Sequence, residues 1–260
     1  MEYFYWDPNP VLISFFGISI YWYGLIFATS ILSGFHIMKW VYTKEHKNIE
    51  SLDTLFLYSF FGIVIGARLA HCLLYDPSFY LANPIKILYI WEGGLASHGG
   101  GLGVIIAAYI YAKKFKVDYL WLLDRLVLPT TLFAFFIRLG NFVNSEIVGI
   151  PTNVSWAVVF AKVDLLPRHP AQLYESLAYF FIFFILFAIY NSQKQNTKNG
   201  QLFGIFLLLV FSARFMIEFV KTKQASYANE MLISTGQMLS IPFLLVGIGF
   251  VFYSMRQSRV

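Results

Sequence analysis

Seven stretches of this 260-residue chain are long, apolar and nearly free of charge: 18–38, 52–75, 97–113, 118–139, 171–191, 201–221 and 231–255. A helix needs roughly 20 apolar residues to cross the hydrocarbon layer of a bilayer. In lipid, only helices and closed barrels satisfy every backbone polar group. Apolar residues run around each stretch instead of along one face, as suits helices that touch lipid and one another. A barrel would need alternating segments of about ten residues, a pattern these stretches do not have. Composition agrees, at 58% hydrophobic and 13% charged, where soluble domains carry about 25% charge. Such a chain is not disordered or collagen-like, and its single cysteine, Cys72, rules out an internal disulfide or a Cys-rich zinc site. The expected fold is all-α and polytopic: seven transmembrane helices forming one integral membrane domain over residues 1–260.

Lys and Arg placement sets the orientation, because cytoplasmic loops are enriched in them. Alternate connections hold Lys39, Lys44, Lys47, Lys113, Lys114, Lys116, Lys194, Lys198, Arg256 and Arg259. The opposite set holds only Lys86, Arg138, Lys162, Arg168, Lys221 and Lys223, spread over longer loops. This places the N-terminus outside and the C-terminus in the cytoplasm. The net charge of +5 is mostly this bias and gives no reason to expect nucleic acid as a partner. The first residues lack a basic stretch and a small-residue cleavage site, so they read as a retained start with aromatics at the interface. Residues 84–97 are expected to dip into the membrane ahead of the short third span. The 140–169 connection is expected to form a small outer subdomain, with a turn at Gly149-Ile-Pro-Thr-Asn and a strand-like run at Trp156-Ala-Val-Val-Phe.

An arginine at mid-bilayer costs about 2.5–3.5 kcal/mol on insertion scales, so each one asks for a reason. On the expected topology Tyr23, Arg68, His98, Arg138, His169, Arg214 and Glu218 all fall toward the outer leaflet, although almost 200 residues separate the first from the last. This convergence argues for a polar site open to that leaflet. Each residue also has a structural reading. Arg214 and Glu218 stand at the i, i+4 spacing of an intrahelical pair, Arg138 can snorkel, and Arg68 on a small-residue face can tie two helices. Gly101 and Gly103 fit close helix packing. His71, Cys72 and the Asp124-Arg125 pair read as packing and structure.

His98-Gly99-Gly100-Gly101 at a helix start leaves free backbone N–H groups, which makes an anion site, with an imidazole that titrates near neutrality beside it. Guanidiniums bind phosphate oxygens through planar bidentate hydrogen bonds, so the set suits a lipid phosphate. No HExxH, carboxylate triad or Cys/His cluster calls for a metal, and no cofactor is expected. Ser97 and His98 are sequence neighbours that point apart on a helix, which disfavours a serine protease.

Several strings together carry a family resemblance. These are Trp22-Tyr23-Gly24-Leu25, Gly66-Ala-Arg68-Leu69, His98-Gly-Gly, Arg138-x-Gly-Asn141-Phe-x-Asn144-x-Glu146-x-x-Gly149, His169-Pro-Ala-Gln172-Leu-Tyr-Glu175 and Arg214-Phe-x-x-Glu218. Along nearly its whole length the sequence resembles the bacterial phosphatidylglycerol–prolipoprotein diacylglyceryl transferase family. The resemblance implies a multi-pass enzyme of the bacterial inner membrane, active at the outer leaflet. It would move the sn-1,2-diacylglyceryl group of phosphatidylglycerol to the lipobox cysteine of a prolipoprotein signal peptide, releasing glycerol 1-phosphate. By that resemblance His98, Arg138 and Arg214 are expected to be catalytic. Tyr23, Arg68, Gly99, Gly100, Asn141, Asn144, Glu146, Gly149 and Glu218 are expected on the substrate-binding side, with Glu218 orienting Arg214. His169, Gln172 and Glu175 are expected to lock the fifth span to the outer subdomain. Two positions depart from the pattern: Phe211 replaces a tyrosine, and Lys221 stands where arginine is frequent. The rival readings are a transporter, a retinal protein and a non-catalytic lipid binder. A transporter would need polar residues at both leaflets, and a retinal protein would need a lysine within 231–255.

Overall fold

A computed structural model describes residues 3–94, 96–222 and 233–257, leaving out the side chains at 18, 92, 97 and 98. Among these residues the structure is mostly helical, and six helices are long and apolar enough to cross a membrane. The helices are α1 (Trp22–Lys44), α2 (Glu50–Ala70), α3 (Pro77–Ala82), α4 (Ser97–Phe115), α5 (Tyr119–Val143), α6 (Ala171–Gln193), α7 (Gln201–Ile217) and α8 (Thr235–Arg256). The third expected span, 97–113, is a helix, α4, but it is not among the six. Four glycines, His98 and the Lys113-Lys114 pair lower its hydropathy. The first span begins later than the sequence predicts. Residues Ile18–Tyr21 form strand β3, which pairs antiparallel with β2 (Val11–Phe15), and the helix starts only at Trp22. The start of the seventh expected span, 231–232, lies outside the described residues.

The chain divides into two compact units, Met1–Ile37 with Leu126–Val260, and Met38–Arg125. In the first unit a small sheet runs in the order β1 (Phe4–Trp6), β4 (Val158–Phe160), β5 (Pro167–Arg168), with β1 parallel and β5 antiparallel to β4. The strand expected at Trp156–Phe160 is therefore present, and the N-terminal aromatics supply its neighbour. Val148, Val158 and Phe160 form the buried core here, with Trp6 stacked 4.6 Å from Phe142. The Trp6 indole N–H donates to the Phe142 carbonyl at 2.9 Å, so this tryptophan ties the sheet to the end of α5. On α8 a capping box joins Ser234 and Gln237, which satisfies helix-start N–H groups. Phe211, the departure from the expected tyrosine, stacks on Phe243 at 4.3 Å between α7 and α8.

In the second unit α2 and α4 meet backbone to backbone. A Cβ on Gly103 would lie 1.9 Å from the Gly62 carbonyl oxygen, and one on Gly66 would lie 2.3 Å from that of Gly99. Lipid is as apolar as leucine, so helices in a membrane gain from close van der Waals approach through small residues. Gly103 packs as the sequence predicts. Gly101 does not: nothing stands within 4 Å of its Cβ position, and Gly99 makes the contact instead. Near the other end of this unit, the fully buried Arg125 pairs with Glu45, Nε to Oε1 at 2.9 Å, and the Trp121 indole donates to Glu45 Oε2 at 2.7 Å. Arg125 therefore has a structural partner beyond its neighbour Asp124, which stands 4.0 Å away.

The glycine contacts are directly testable. Gly103→Ala forces α2 and α4 apart and is expected to cost about 1–3 kcal/mol through overpacking. Gly101→Ala meets no neighbour and is expected to be neutral or to stabilise by up to about 1 kcal/mol through helix propensity. Unfolding of the two variants in detergent distinguishes them.

Candidate active site

α5 is longer than predicted, and its last two turns carry the start of the Arg138 string. Arg138 and Asn141, three residues apart, share a helix face, and Arg138 Nη1 donates to Asn141 Oδ1 at 3.1 Å. Asn141 Nδ2 donates to Glu146 Oε2 at 2.9 Å, and Asn144 Nδ2 to Glu146 Oε1 at 3.1 Å. To fold back this way the chain turns through left-handed backbone at Ser145 (φ 59°) and Ile147 (φ 56°). A β-branched residue in that region is strained by about 1–3 kcal/mol, so the surrounding bonds hold the loop against its own preference. Tyr23 packs its ring on Gly140, where a Cβ would come within 2.8 Å of it, and lies within electrostatic reach of Glu146 and Arg138.

The first turns of α6 face this loop. Gln172 Nε2 donates to the Glu146 carbonyl at 2.5 Å. One turn on, Glu175 is fully buried, with Oε2 2.8 Å from Arg138 Nε and Oε1 3.3 Å from Lys221 Nζ. Lys221 also reaches Glu218 Oε2 at 3.3 Å. From sequence, Glu175 is expected to lock the fifth span and Lys221 has no expected role. The structure instead makes Glu175 the shared anion of two cations. The cost that flagged the arginines applies equally to a carboxylate in an apolar helix, and that signal was present in the sequence.

Glu218 does not pair with Arg214 as the i, i+4 spacing predicts. The α-helix ends at Ile217 and tightens to a 3₁₀ turn over Glu218–Val220. In a 3₁₀ turn residues at i and i+3 eclipse, which sets Glu218 over Lys221. The Glu218 carboxylate also rests on the first turn of α8, where a Cβ on Gly236 would fall 2.4 Å from Glu218 Cδ. Among the described residues the half-buried Arg214 guanidinium makes no hydrogen bond or ion pair, though it lies within electrostatic reach of Tyr179.

Gly149 is held by backbone on both sides. Its N–H donates to the His169 carbonyl at 2.9 Å, it bridges to Lys221, and a Cβ would lie 2.5 Å from the His169 oxygen. Its carbonyl accepts from Arg168 and Thr222, each at 3.0 Å. Asp164 clamps Arg168 in turn. The hydrogen bond from the Arg168 guanidinium holds the Asp164 carboxyl below the ordinary carboxylate range, against a smaller opposing effect of burial. Gly149 is therefore a point of close backbone approach that no side chain could occupy.

The remaining expected site residues belong to the second unit. Gly99 stands third in α4, where an N–H has no intrahelical acceptor. Gly100 does not offer its N–H as the anion-site reading expects, because it donates to the Ala96 carbonyl at 3.1 Å. The backbone of His98 is in the first turn of α4, and its side chain lies outside the described residues. Among the described residues Arg68, 3% exposed, donates to backbone carbonyls. Among the described residues no group of three or more metal-ligating side chains gathers.

The family model for prolipoprotein diacylglyceryl transferase matches residues 10–253. The phosphatidylglycerol–prolipoprotein diacylglyceryl transferase of Tolumonas auensis is 51% identical over 255 residues, covering 98% of each chain. That of Chloroherpeton thalassium is 49% identical over 260 residues, covering 100% of this chain and 97% of its own. That of Bacteroides fragilis is 43% identical over 267 residues, covering 98% and 96%.

Removing Glu175 leaves Arg138 without its buried counter-charge and Lys221 with Glu218 alone. Glu175→Ala is expected to destabilise the protein by about 3–5 kcal/mol, read as a shift in detergent unfolding. The lowered pKa of Asp164 also has a sign. Its contribution is present above the unfolded value of about 3.9 and is lost as the pH falls through the lower folded value. Amide exchange at Leu166 is therefore expected to respond to Asp164→Asn at pH 6 and to become insensitive to it in strong acid.

Proposed function

The chain belongs to the prolipoprotein diacylglyceryl transferase family, and on that premise we propose that it moves a diacylglyceryl group from phosphatidylglycerol to the lipobox cysteine of a prolipoprotein. The observation that carries the reading is the arginine pair of the first unit. Arg138 is fixed from behind by Glu175 and Asn141, while Arg214 has no counter-ion among the described residues. A fixed guanidinium and one with no ion pair among the described residues, both within electrostatic reach of Tyr179, suit a phosphodiester that gains charge as it leaves.

The reaction forms a C–S bond and breaks a C–O bond at the same glyceryl carbon. The cysteine sulfur attacks as thiolate, and the C–O electron pair leaves on glycerol 1-phosphate. A thiol of pKa about 8.5 is mostly protonated at neutral pH, so a base must take its proton, and His98 is the residue assigned to that task. Arg138 and Arg214 bind the phosphate and stabilise the second negative charge of the departing monoester. Donors aimed in advance at developing charge need no reorganisation during the reaction. Asn141, Asn144 and Glu146 hold the Arg138 loop or the glycerol hydroxyls, with Tyr23 at the head group and Gly149 and Gly99 as backbone contacts. Glu218 acts on the site through Lys221, which keeps a positive charge but lacks the bidentate fork of arginine. The membrane reading that goes with this counts α4 as a seventh span. It puts the N-terminus outside and the site at the outer leaflet of the bacterial inner membrane.

Purified protein given phosphatidylglycerol and a lipobox peptide is expected to yield a thioether-linked diacylglyceryl peptide and one glycerol phosphate per turnover, with a Cys→Ser peptide left unmodified. Lipid flux across liposomes without turnover would sink the proposal. Arg138→Lys and Arg214→Lys are each expected to lose on the order of 10²–10³ in rate while still inserting. Normal turnover per folded molecule would make the altered residue structural. Near-normal transfer by His98→Gln across the titration range of the thiol would remove His98 as the base.

A further inference from the structure

Arg68 is a buried cation whose hydrogen bonds, among the described residues, go to one short segment. Nε donates to the Ile87 carbonyl at 2.8 Å and Nη2 to that of Lys86 at 2.5 Å. Nη1 donates to Gly93 at 2.5 Å and Gly94 at 3.2 Å. These oxygens belong to the strap 84–94, two 3₁₀ turns that run up to α4. Gly93 (φ 85°) and Gly94 (φ 75°) adopt left-handed backbone, which only glycine takes without strain. A Cβ on Gly94 would also lie 2.5 Å from the His71 ring and 3.0 Å from Arg68 Nη1. The next residue on α2, Leu69, is half-exposed to the surroundings, while the preceding Ala67 accepts from the Ala96 N–H at 3.0 Å. Ala96 is the N-cap of α4. One stretch of α2 thus grips the strap by side chain and the start of α4 by backbone.

With its guanidinium committed to four carbonyls, Arg68 makes a poor phosphate ligand. We infer that Arg68 is a positioning residue: it fixes the strap, and through it the first turn of α4 that carries His98. Its effect on transfer rests on the role given to His98 above. A planar five-donor fork can satisfy divergent carbonyls that the single ammonium of lysine cannot.

The test compares wild type with Arg68→Lys, which keeps the buried charge, and with Gly94→Ala, which disturbs the same contact from the strap side. Amide exchange over 84–100 is read alongside steady-state kinetics. The expected result is faster exchange in that segment for both variants. With it, kcat falls by about tenfold or more and KM for phosphatidylglycerol stays within about twofold. Unchanged exchange would overturn the grip on the strap. Faster exchange with normal kcat would overturn the positioning role. A raised KM for phosphatidylglycerol with kcat intact would make Arg68 a head-group ligand and overturn the inference. A wild-type protein without transfer activity would overturn the proposed function and the link to catalysis, and the exchange comparison would still decide whether Arg68 holds the strap.

Discussion

A carboxylate with no exposed surface, Glu175, is shared by Arg138 at the end of α5 and Lys221 beyond α7. Taking three charged groups out of water is expensive, and their attraction repays it only when geometry and remaining hydrogen bonds are in order. The neighbouring structure reads as the answer to that demand. Gln172, on the same face of α6, bonds the backbone of the loop after α5, and Asn141 takes up the next donor of Arg138. The bridge between Gly149 and Lys221 brings the lysine close enough to complete the arrangement. Misplacing any one of these elements strands a buried charge, so the pair enforces a single geometry.

The same economy governs the catalytic chemistry proposed for the site. Arg138 is backed by an anion, and Lys221 lies between two, so neither is a loose positive charge. Arg214 differs, with no ion pair among the described residues. A substrate phosphate is attracted most strongly to a guanidinium that no carboxylate among the described residues answers, and it is oriented best where guanidinium geometry is already fixed. The strained backbone at Ser145 and Ile147 fits this picture, because a loop held against its preference resists rearrangement as charge moves.

The second unit achieves precision by another route. Between α2 and α4 the backbones meet at Gly62, Gly66, Gly99 and Gly103, with the Ala70 and Ala107 methyls packed beside them. Where α2 leaves that contact, Arg68 takes over with hydrogen bonds to the strap. Rigid packing and a polar clasp, one after the other, define where α4 begins.

Much of this protein is legible in its sequence because lipid imposes simple rules. Length and hydropathy place the long helices, and a charged residue in an apolar run announces that it has a partner or a task. Arg138, Asn141 and Glu146 stand out in one string and do lie together. What each charge pairs with is not legible. Spacing predicts Arg214 with Glu218, yet a 3₁₀ turn redirects Glu218 to Lys221. Arg68 suits a helix tie or a phosphate equally in sequence, and among the described residues it bonds carbonyls 18 to 26 residues away. Glu175, Lys221 and the parallel pairing of β1 with β4 depend on residues far apart in the chain. Apolar length and stray charge in the chain thus fix the solvent, most of the long helices and the residues that do not belong in lipid. Partners are set by packing, because a buried charge takes whichever opposite charge or carbonyl comes within about 3 Å.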